Sequence, residues 1–332
     1  MPYSGVAVLE VRDLEVSFGS TRILRGVSFD LIAGETLGVV GESGCGKSMT
    51  AFALMGMLIP PGRISGGSIK LEGRELVGLP EKELRKIRGE QIALVMQDPF
   101  TSLNPMMKVG HQIGESLVLH HGMSKDAAFK RAIELLDQVG VPAPEASASK
   151  FPHQLSGGQR QRIVIAMAFA CKPKVLLADE PTTALDVTIQ AQIIELLGDL
   201  RKQLGMAVLL ITHNLGIVGD LADDVAVMYA GQIVEHGPVR EVLQRPLHPY
   251  TQALIQSVPD LEAEVERLTA IPGTVPLLGS FPGGCRFHPR CPKAQTICST
   301  QAPELASVKV GRRVRCPLWD SLLEPQTVSH RA

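Results

Sequence analysis

The hydrophobic positions of this chain predict two kinds of β-strand. Residues 8–18 and 23–32 alternate loosely between apolar and polar side chains, which is typical of half-buried strands. Shorter and more continuous apolar runs occur at 36–40, 175–178 and 206–211, and they predict fully buried strands. Two further strand candidates are 68–73 and 91–97, separated by the mixed-charge segment 81–90, which predicts the exposed face of a short helix.

Helical patterns occupy the stretches between these strands. The apolar run 49–58 is compatible with a helix, and 124–139 has apolar residues at helical spacing, with Ser124 as a candidate N-cap and Gly140 as a stop. Further helices are predicted from Ser156 to about Cys171 and over 187–204. Because 98–155 is rich in turns and helical spacing, we interpret it as a helical insert in an α/β core.

Composition narrows the class of protein. The chain has 332 residues, of which 45% are hydrophobic and 20% charged, as expected for about two globular domains. A net charge of −1 and an aromatic content of only 4% argue against a basic, ring-lined face for nucleic acid. No signal peptide is evident at the start, and no apolar run approaches eighteen residues. We therefore expect a cytoplasmic chain in which disulfides do not form.

The segment from Gly41 to Ser48 reads Gly-Glu-Ser-Gly-Cys-Gly-Lys-Ser and lies between a predicted strand and a predicted helix. This is the setting of a phosphate-binding loop, in which glycines let successive backbone N–H groups face one anion. Lys47 would reach the β- and γ-phosphates and Ser48 would hold Mg²⁺. Cys45 precedes a helix and a lysine, which favours the thiolate form. The alternative is a plain glycine-rich turn.

Polar residues follow two of the buried strands. Asp179 and Glu180 end one of them, and opposite a phosphate-binding loop the first acid is expected near Mg²⁺. Successive strand side chains point to opposite sides, so Glu180 is a candidate general base for an attacking water. His213 follows the next buried strand and is a candidate ligand contact, although such a histidine is often structural. A solvated acidic pair is the alternative for the carboxylates.

Two other stretches are open to a nucleotide role. Leu155-Ser-Gly-Gly-Gln-Arg160 begins a helix with two glycines, which exposes N–H groups to an anion unless it is only a flexible joint. Phe18 lies at the tip between the first two strands and could stack on a flat base or cap a hairpin.

The carboxyl-terminal stretch is rich in cysteine. Cys285, Cys291, Cys298 and Cys316 lie within 32 residues, separated by five, six and seventeen residues, without the C-x₂-C pairs of zinc ribbons. Four thiolates in a tail poor in regular structure suggest an iron–sulfur or zinc centre, with free thiols as the remaining alternative. Arg312, Arg313 and Arg315 would offset its negative charge, or lie on a solvated strand edge. Its position after the last phosphate-binding motif predicts a structural role that leaves the phosphate-binding site unaffected.

Taken in order, these motifs resemble the ATP-binding subunit of an ABC transporter, over about residues 8–257. The string Leu-Ser-Gly-Gly-Gln distinguishes that family from other P-loop proteins. The resemblance implies an α/β P-loop NTPase core with a RecA-like sheet, an N-terminal antiparallel β subdomain, a helical subdomain at about 98–155 and a small Cys-rich C-terminal extension. It also implies two ATPases paired head to tail, with ATP between the phosphate-binding loop of one and the 155–159 signature of the other.

The resemblance assigns roles to individual residues. Gln97, Glu180 and His213 are the implied catalytic residues, with Glu180 as general base, and Mg²⁺ is implied at Ser48, Gln97 and Asp179. Implied nucleotide contacts are Phe18, Gly41, Glu42, Ser43, Gly44, Cys45, Gly46, Lys47, Ser48, Met49, Gln97, Ser156, Gly157, Gly158, Gln159, Asp179, Asp186 and His213. Phe18 stands where the family often has Tyr, and Asn214 stands where it commonly has Asp, which alters a dimer contact.

The remaining sequence is similar to the ATPases of bacterial dipeptide, oligopeptide and nickel importers, through 248–254, 271–276 and the cysteine-rich tail. This implies an ABC ATPase domain over 1–257 and a transporter-type C-terminal region over 258–332. It also implies peripheral attachment to the inner face of the cell membrane, a second ATPase, two permeases docked on 98–155, and a periplasmic binding protein that acts indirectly. For the four cysteines it implies a [4Fe–4S] cluster, with zinc as the alternative.

Two other functions remain open. A soluble ABC ATPase acting on nucleic acid or ribosomes would typically carry a second ATPase unit or a long coiled-coil insert, and neither is visible. A redox-sensing tail that gates transport is also compatible with the sequence. The cargo is not encoded here, because the permeases and the binding protein select it.

Overall fold

The computed structural model describes residues 5–183, 185–257, 271–277 and 279–320. Within them the strands are β1 (Ala7–Phe18), β2 (Thr21–Ile32), β3 (Thr36–Val40), β4 (Gly62–Leu71), β5 (Arg74–Glu75), β6 (Ile92–Val95), β7 (Val175–Asp179), β8 (Ala207–Ile211), β9 (Asp224–Tyr229), β10 (Gln232–Pro238), β11 (Ala306–Lys309) and β12 (Arg312–Val314). The helices are α1 (Lys47–Leu54), α2 (Glu81–Ile87), α3 (Pro99–Ser102), α4 (Val109–His121), α5 (Lys125–Gln138), α6 (Pro144–Ala148), α7 (Gly157–Phe169), α8 (Val187–Leu204), α9 (Leu215–Leu221), α10 (Val239–Gln244), α11 (Pro249–Gln256) and α12 (Thr296–Thr300), with 3₁₀ turns at Pro152–Gln154 and His288–Arg290.

Two sheets organise these elements. The first is antiparallel, with strand order β2-β1-β4-β5. The second has the order β11-β12-β10-β9-β3-β8-β7-β6, and its strands from β9 to β6 pair in parallel. The predicted α/β core with an amino-terminal antiparallel sheet is confirmed.

The continuous apolar runs were informative because the parallel strands are covered on both faces. Every residue of β3, β7 and β8 is buried. Along β7, Val175 and Leu177 pack into one hydrophobic cluster, whereas Leu176 and Ala178 pack into another on the opposite face. The carboxyl ends of β3, β7 and β8 therefore lie side by side at one edge of a rigid sheet, and the polar motifs follow them.

The regular elements between β6 and β7 are all helices, joined by turns, as the spacing predicted. Ser124 caps α5, since its side chain accepts a hydrogen bond from the Ala127 N–H at 3.2 Å, and Gly140 has a φ of 70° after the helix. Ala128, Ala132 and Leu135 form the buried face of α5. The domain boundaries at 98–155 and 257 stay predictions, because β-strand and helix bounds alone do not define domains. None of the helices in the described ranges is long and apolar enough to cross a membrane.

The carboxyl-terminal stretch is more regular than its sequence indicated. β12 pairs with β10, so the tail extends the main sheet, and Phe287 is buried in a cluster with Tyr229 and Tyr250. Arg312 forms an ion pair of 2.8 Å with Glu235, and both side chains are almost fully buried. The expectation that Arg312 serves a metal centre is wrong, because this arginine neutralises a buried glutamate. Packing on the α/β core, and not ligation alone, therefore holds the tail.

Candidate nucleotide-binding site

The segment 41–46 connects β3 to α1 as a tight loop. At Gly41, whose φ is 153°, a Cβ would lie 2.2 Å from the Met228 carbonyl oxygen, so only glycine fits between the loop and β9. The Lys47 ammonium is buried and donates hydrogen bonds to the Gly41 and Glu42 carbonyls, at 2.8 and 3.1 Å. The loop thus curls around the lysine, with the start of α1 on one side, which is the form a phosphate-binding loop requires.

Asp179 ends β7 beside this loop and has the properties of a cation ligand. It is buried, and desolvation raises the pKa of its carboxyl group, although a hydrogen bond from Ser48 works in the opposite direction. Its Oδ1 atom has no hydrogen-bond partner among the described residues. A buried carboxylate with one orphaned oxygen beside a serine hydroxyl fits Mg²⁺, which prefers oxygen ligands.

Glu180 is the centre of a polar cluster in which three segments meet. Its Oε2 atom accepts hydrogen bonds from Gln97 Nε2 at 3.0 Å and Thr183 Oγ1 at 2.9 Å, and His213 Nδ1 lies 3.3 Å away. The structure therefore brings together Gln97, Glu180 and His213, as predicted. Thr183 was missed, although a hydroxyl three residues after the glutamate, within the turn, was a signal that could have found it.

The 155–159 signature begins α7 with a capping box. The Ser156 side chain accepts from the Gln159 N–H at 3.3 Å, and the Gln159 side chain accepts from the Ser156 N–H at 3.0 Å. Asp186 caps α8 in the same manner, through Ile189 N–H at 2.9 Å. Both caps line one open depression, formed by Gly140, Pro142, Ser156, Gly157, Gly158, Gln159, Arg162, Leu185, Asp186, Ile189 and Gln192, with no phosphate-loop residue in that lining.

Phe18 and Asn214, the two positions that depart from the family pattern, each lie at the end of a secondary-structure element. Phe18 is the last residue of β1, half-buried, and its ring packs on the backbone of Gly62, where a Cβ would lie 2.6 Å from the ring. Asn214 caps α9, with its side-chain oxygen accepting from Gly216 N–H at 2.9 Å. An adenine contact of Phe18 stays a prediction. The substitution at 214 preserves the helix cap, which an Asp would also supply.

The thiolate expectation for Cys45 is wrong. The side chain is only 1% exposed, and burial raises the pKa of its thiol. The charge of Lys47 acts in the opposite direction, but desolvation is the larger effect. Cys45 is therefore a packing residue whose backbone belongs to the loop.

Because Cys45 is buried and protonated, we expect it to react with iodoacetamide at least about 10-fold more slowly in the native protein than after denaturation. Cys45→Ser should keep its ATP affinity within about 3-fold, since only the backbone faces the phosphates. Peptide mapping of the alkylated protein and ATP titration check both statements. Rapid native alkylation of Cys45 that blocks ATP binding would contradict the burial argument.

Two residues outside the predicted site touch the phosphate-binding loop. The Tyr250 hydroxyl accepts a hydrogen bond from the Glu42 N–H at 2.9 Å, and His248 caps α11 through the Tyr250 N–H at 3.0 Å. Arg290 forms a two-pronged contact with Glu42, at 2.8 and 3.0 Å, and its side chain is only 5% exposed. The cysteine-rich tail therefore contacts the phosphate-binding loop, although it lies far from that loop in sequence. Whether loss of the cysteine centre leaves the nucleotide site unaffected stays a prediction.

The four tail cysteines are all free thiols within the described residues. Cys298 and Cys316 are buried, Cys285 and Cys291 are half-buried, and the Cys285 N–H donates to the Cys298 carbonyl at 2.8 Å. Burial, with a smaller contribution from the other three cysteines, raises the pKa of Cys316 to about 11. No three of these sulfurs, all within the described residues, form a group whose atoms lie within 4.8 Å of one another.

Comparison with known proteins places these motifs in a family. Residues 24–183 match the family described as ABC transporter, and 234–298 match the oligopeptide/dipeptide transporter C-terminal region. The oligopeptide transport ATP-binding protein OppD of Salmonella typhimurium is 50% identical over 319 residues, 95% of each chain. OppD of Escherichia coli is 51% identical over 93% of each chain. OppD of Bacillus subtilis is 54% identical over 91% of this chain and 86% of its own.

Solved structures share the ATPase fold. The cbiO1 protein of Clostridium perfringens, part of the ABC transporter complex cbiONQ, superimposes with a TM-score of 0.63 at 30% identity, over 72% of this chain and 91% of its own. The ATP-binding cassette MJ0796, in a dimeric post-hydrolysis state with ADP and Pi, gives 0.62 at 28% identity, over 70% of this chain and 99% of its own. The chain therefore belongs to the ABC transporter ATP-binding proteins, in the group that carries the oligopeptide/dipeptide transporter C-terminal region.

Proposed function

We propose that this chain binds and hydrolyses ATP to power an importer of dipeptides, oligopeptides or related cargo such as nickel. The cluster around Glu180, beside the phosphate-binding loop and Asp179, is the observation that carries the proposal. The OppD proteins are named as oligopeptide transport ATP-binding proteins, which supports peptides as the cargo class. The cargo itself is chosen by partner subunits.

Each residue of the nucleotide-binding site has a distinct role in the proposed hydrolysis. The loop N–H groups and Lys47 hold the polyphosphate, and Ser48, Gln97 and Asp179 would hold Mg²⁺. The metal ion would neutralise charge on the phosphates when bound. Glu180 accepts a proton from the attacking water, while Gln97 and Thr183 fix the orientation of its carboxylate. His213 contacts the γ-phosphate from the neighbouring strand end.

The proposal includes a head-to-tail pair of ATPase domains. The signature depression lined by Ser156 and Asp186 contains no phosphate-loop residue among the described residues, which supports a site completed by a second subunit. The MJ0796 cassette is dimeric with ADP and Pi, which agrees with this arrangement. We propose a related but distinct second ATPase as the partner, with two permeases docked on 98–155, so that the chain is peripheral to the inner face of the membrane.

Reconstitution tests this function. The chain would be expressed with the ATPase, permease and binding-protein genes of one operon, purified as a complex and placed in liposomes. Peptide-loaded binding protein should raise the ATPase rate above that with the empty binding protein. A chain that never joins the permeases, but whose ATPase rate rises with RNA or ribosomes, would support the alternative of a soluble remodelling ATPase.

We propose that Cys285, Cys291, Cys298 and Cys316 hold a [4Fe–4S] cluster. Cys285, Cys291 and Cys298 all act to raise the pKa of Cys316, which supports one centre that takes all four thiolates as ligands. Thiolates are the ligands that iron–sulfur clusters use.

We expect protein purified without oxygen to be brown and to contain iron and acid-labile sulfide. Cys298→Ser should lose the colour and lower the thermal midpoint, because the buried tail loses a ligand. Stoichiometric zinc in colourless protein would replace the cluster by a zinc centre. Protein with neither metal, made with ample iron, would contradict both. Reversible loss of ATPase activity on oxidation would instead support a redox-sensing role.

A further inference from the structure

A second group of metal-ligating side chains lies far from the tail cysteines in sequence. Glu90, His121 and Cys171 each offer one ligand atom, and these three atoms all lie within 4.8 Å of one another. His121 Nε2 is 3.1 Å from a Glu90 carboxylate oxygen. Cys171 is buried, and its thiol interacts with the Glu90 carboxylate and the Ser116 hydroxyl. Neither the ATP site nor the tail uses any of these residues.

The three ligands come from three separate parts of the fold. Glu90 lies in the turn before β6, His121 is the last residue of α4, and Cys171 lies two residues after the end of α7. Such convergence is not a consequence of sequence proximity, because each residue is fixed by a different element. A group bridging these positions would join the helical segment to the sheet that leads to Gln97.

The surroundings favour a cation. α4 and α7 pack against each other and both direct their carboxyl-terminal ends toward this group, which follows from the positions of His121 and Cys171. The carboxyl end of a helix carries a partial negative charge from unpaired carbonyl groups. Each helix has 13 residues, long enough for this effect. Two such ends beside a carboxylate attract a cation independently of the ligand count.

The chemistry of the three ligand atoms indicates which cation the group would bind. Thiolate and imidazole suit zinc and its neighbours among the divalent transition metals, whereas Mg²⁺ and Ca²⁺ require oxygen ligands. The observed separations, below 4.8 Å, are compatible with atoms about 3.3–3.8 Å apart around one tetrahedral ion. Partial exposure of His121 and Glu90 leaves a route for the ion and a fourth position for water.

We propose that Glu90, His121 and Cys171 form a binding site for zinc or a similar divalent transition metal. The bound ion fastens the carboxyl end of α4 to the turn before β6. This site does not depend on the proposed importer function, because its ligands are outside the ATP motifs.

The test uses the full chain purified anaerobically, so that a cluster in the tail keeps its thiols occupied. Co²⁺ is the probe, because thiolate-bound Co²⁺ gives a charge-transfer absorption band. We expect one equivalent to bind with this band, Zn²⁺ to displace it, and Zn²⁺ to raise the thermal midpoint. His121→Ala should weaken Co²⁺ binding about 100-fold or more, since even loss of an outer-sphere partner costs 10–100-fold.

His111→Ala is the matched control, because His111 is an exposed histidine on the same helix but outside the group. It should bind Co²⁺ like the unsubstituted chain, while Cys171→Ser should lose the charge-transfer band. The surface position of His121 makes its removal compatible with folding, which circular dichroism checks. Equal affinity in the two histidine variants, or wild-type binding without the thiolate band, would overturn the proposal.

Discussion

Replacement of Glu180 by Gln is expected to lower ATP hydrolysis by about 10²–10⁴-fold, the usual contribution of a positioned general base. Gln keeps the shape of the side chain and can still pair with Gln97 and Thr183, but it cannot accept the proton of the attacking water. ATP affinity should therefore change little. A closed pair of ATPase subunits with trapped ATP should accumulate.

Steady-state phosphate release and equilibrium ATP binding measure the two effects separately. Thr183→Val is the comparison, because it removes one hydrogen bond to Glu180 without removing the base. It should lower the rate far less than Glu180→Gln, because the carboxylate that accepts the proton remains. A Glu180→Gln protein that hydrolyses ATP at the unsubstituted rate would remove Glu180 from its assigned role.

Much of the site followed from the sequence because each motif has a local cause. The phosphate-binding loop is recognised by its glycines and by the strand and helix on either side, and the Ser156 capping box needs only residues three positions apart. Parallel strands that are buried on both faces appear in the sequence as continuous apolar runs. Their carboxyl ends meet at one edge, so the sequence alone places Asp179 and His213 at the same edge of the sheet.

The contacts between the tail and the rest of the protein could not be predicted from the pattern of neighbouring residues. Arg290 and Glu42 are 248 positions apart, and no periodicity connects them. The thiol of Cys45 shows the same limit, because the nearby Lys47 and the helix start favour a thiolate, whereas burial under distant elements decides the pKa. For β12 the sequence offered only a solvated strand edge, because three residues leave too short a pattern to show that the strand pairs with β10 and is largely buried.

The contact between Arg290 and Glu42 predicts that the tail affects the affinity of the site for ATP. Arg290→Ala leaves the Glu42 carboxylate unpaired in the loop that receives the phosphates. Unit charges about 8 Å apart at an effective dielectric constant of about 20 repel by about 2 kcal/mol, so ATP affinity should fall at least about 10-fold. Because the Glu42 side chain is 28% exposed, loss of Arg290 should lower the free energy of unfolding by roughly 1–2 kcal/mol, between the values for exposed and buried ion pairs.

A double-mutant cycle separates repulsion from simple loss of packing. If the unpaired charge is the cause, Arg290→Ala combined with Glu42→Gln should recover most of the lost ATP affinity, because the remaining side chain is neutral. Lys293→Ala is the control, since it removes a tail cation that contacts Gln252, 3.4 Å away, and not the loop. Additive losses in the double variant, or an equal loss in Lys293→Ala, would mean that Arg290 holds the tail in place without acting on the nucleotide through Glu42.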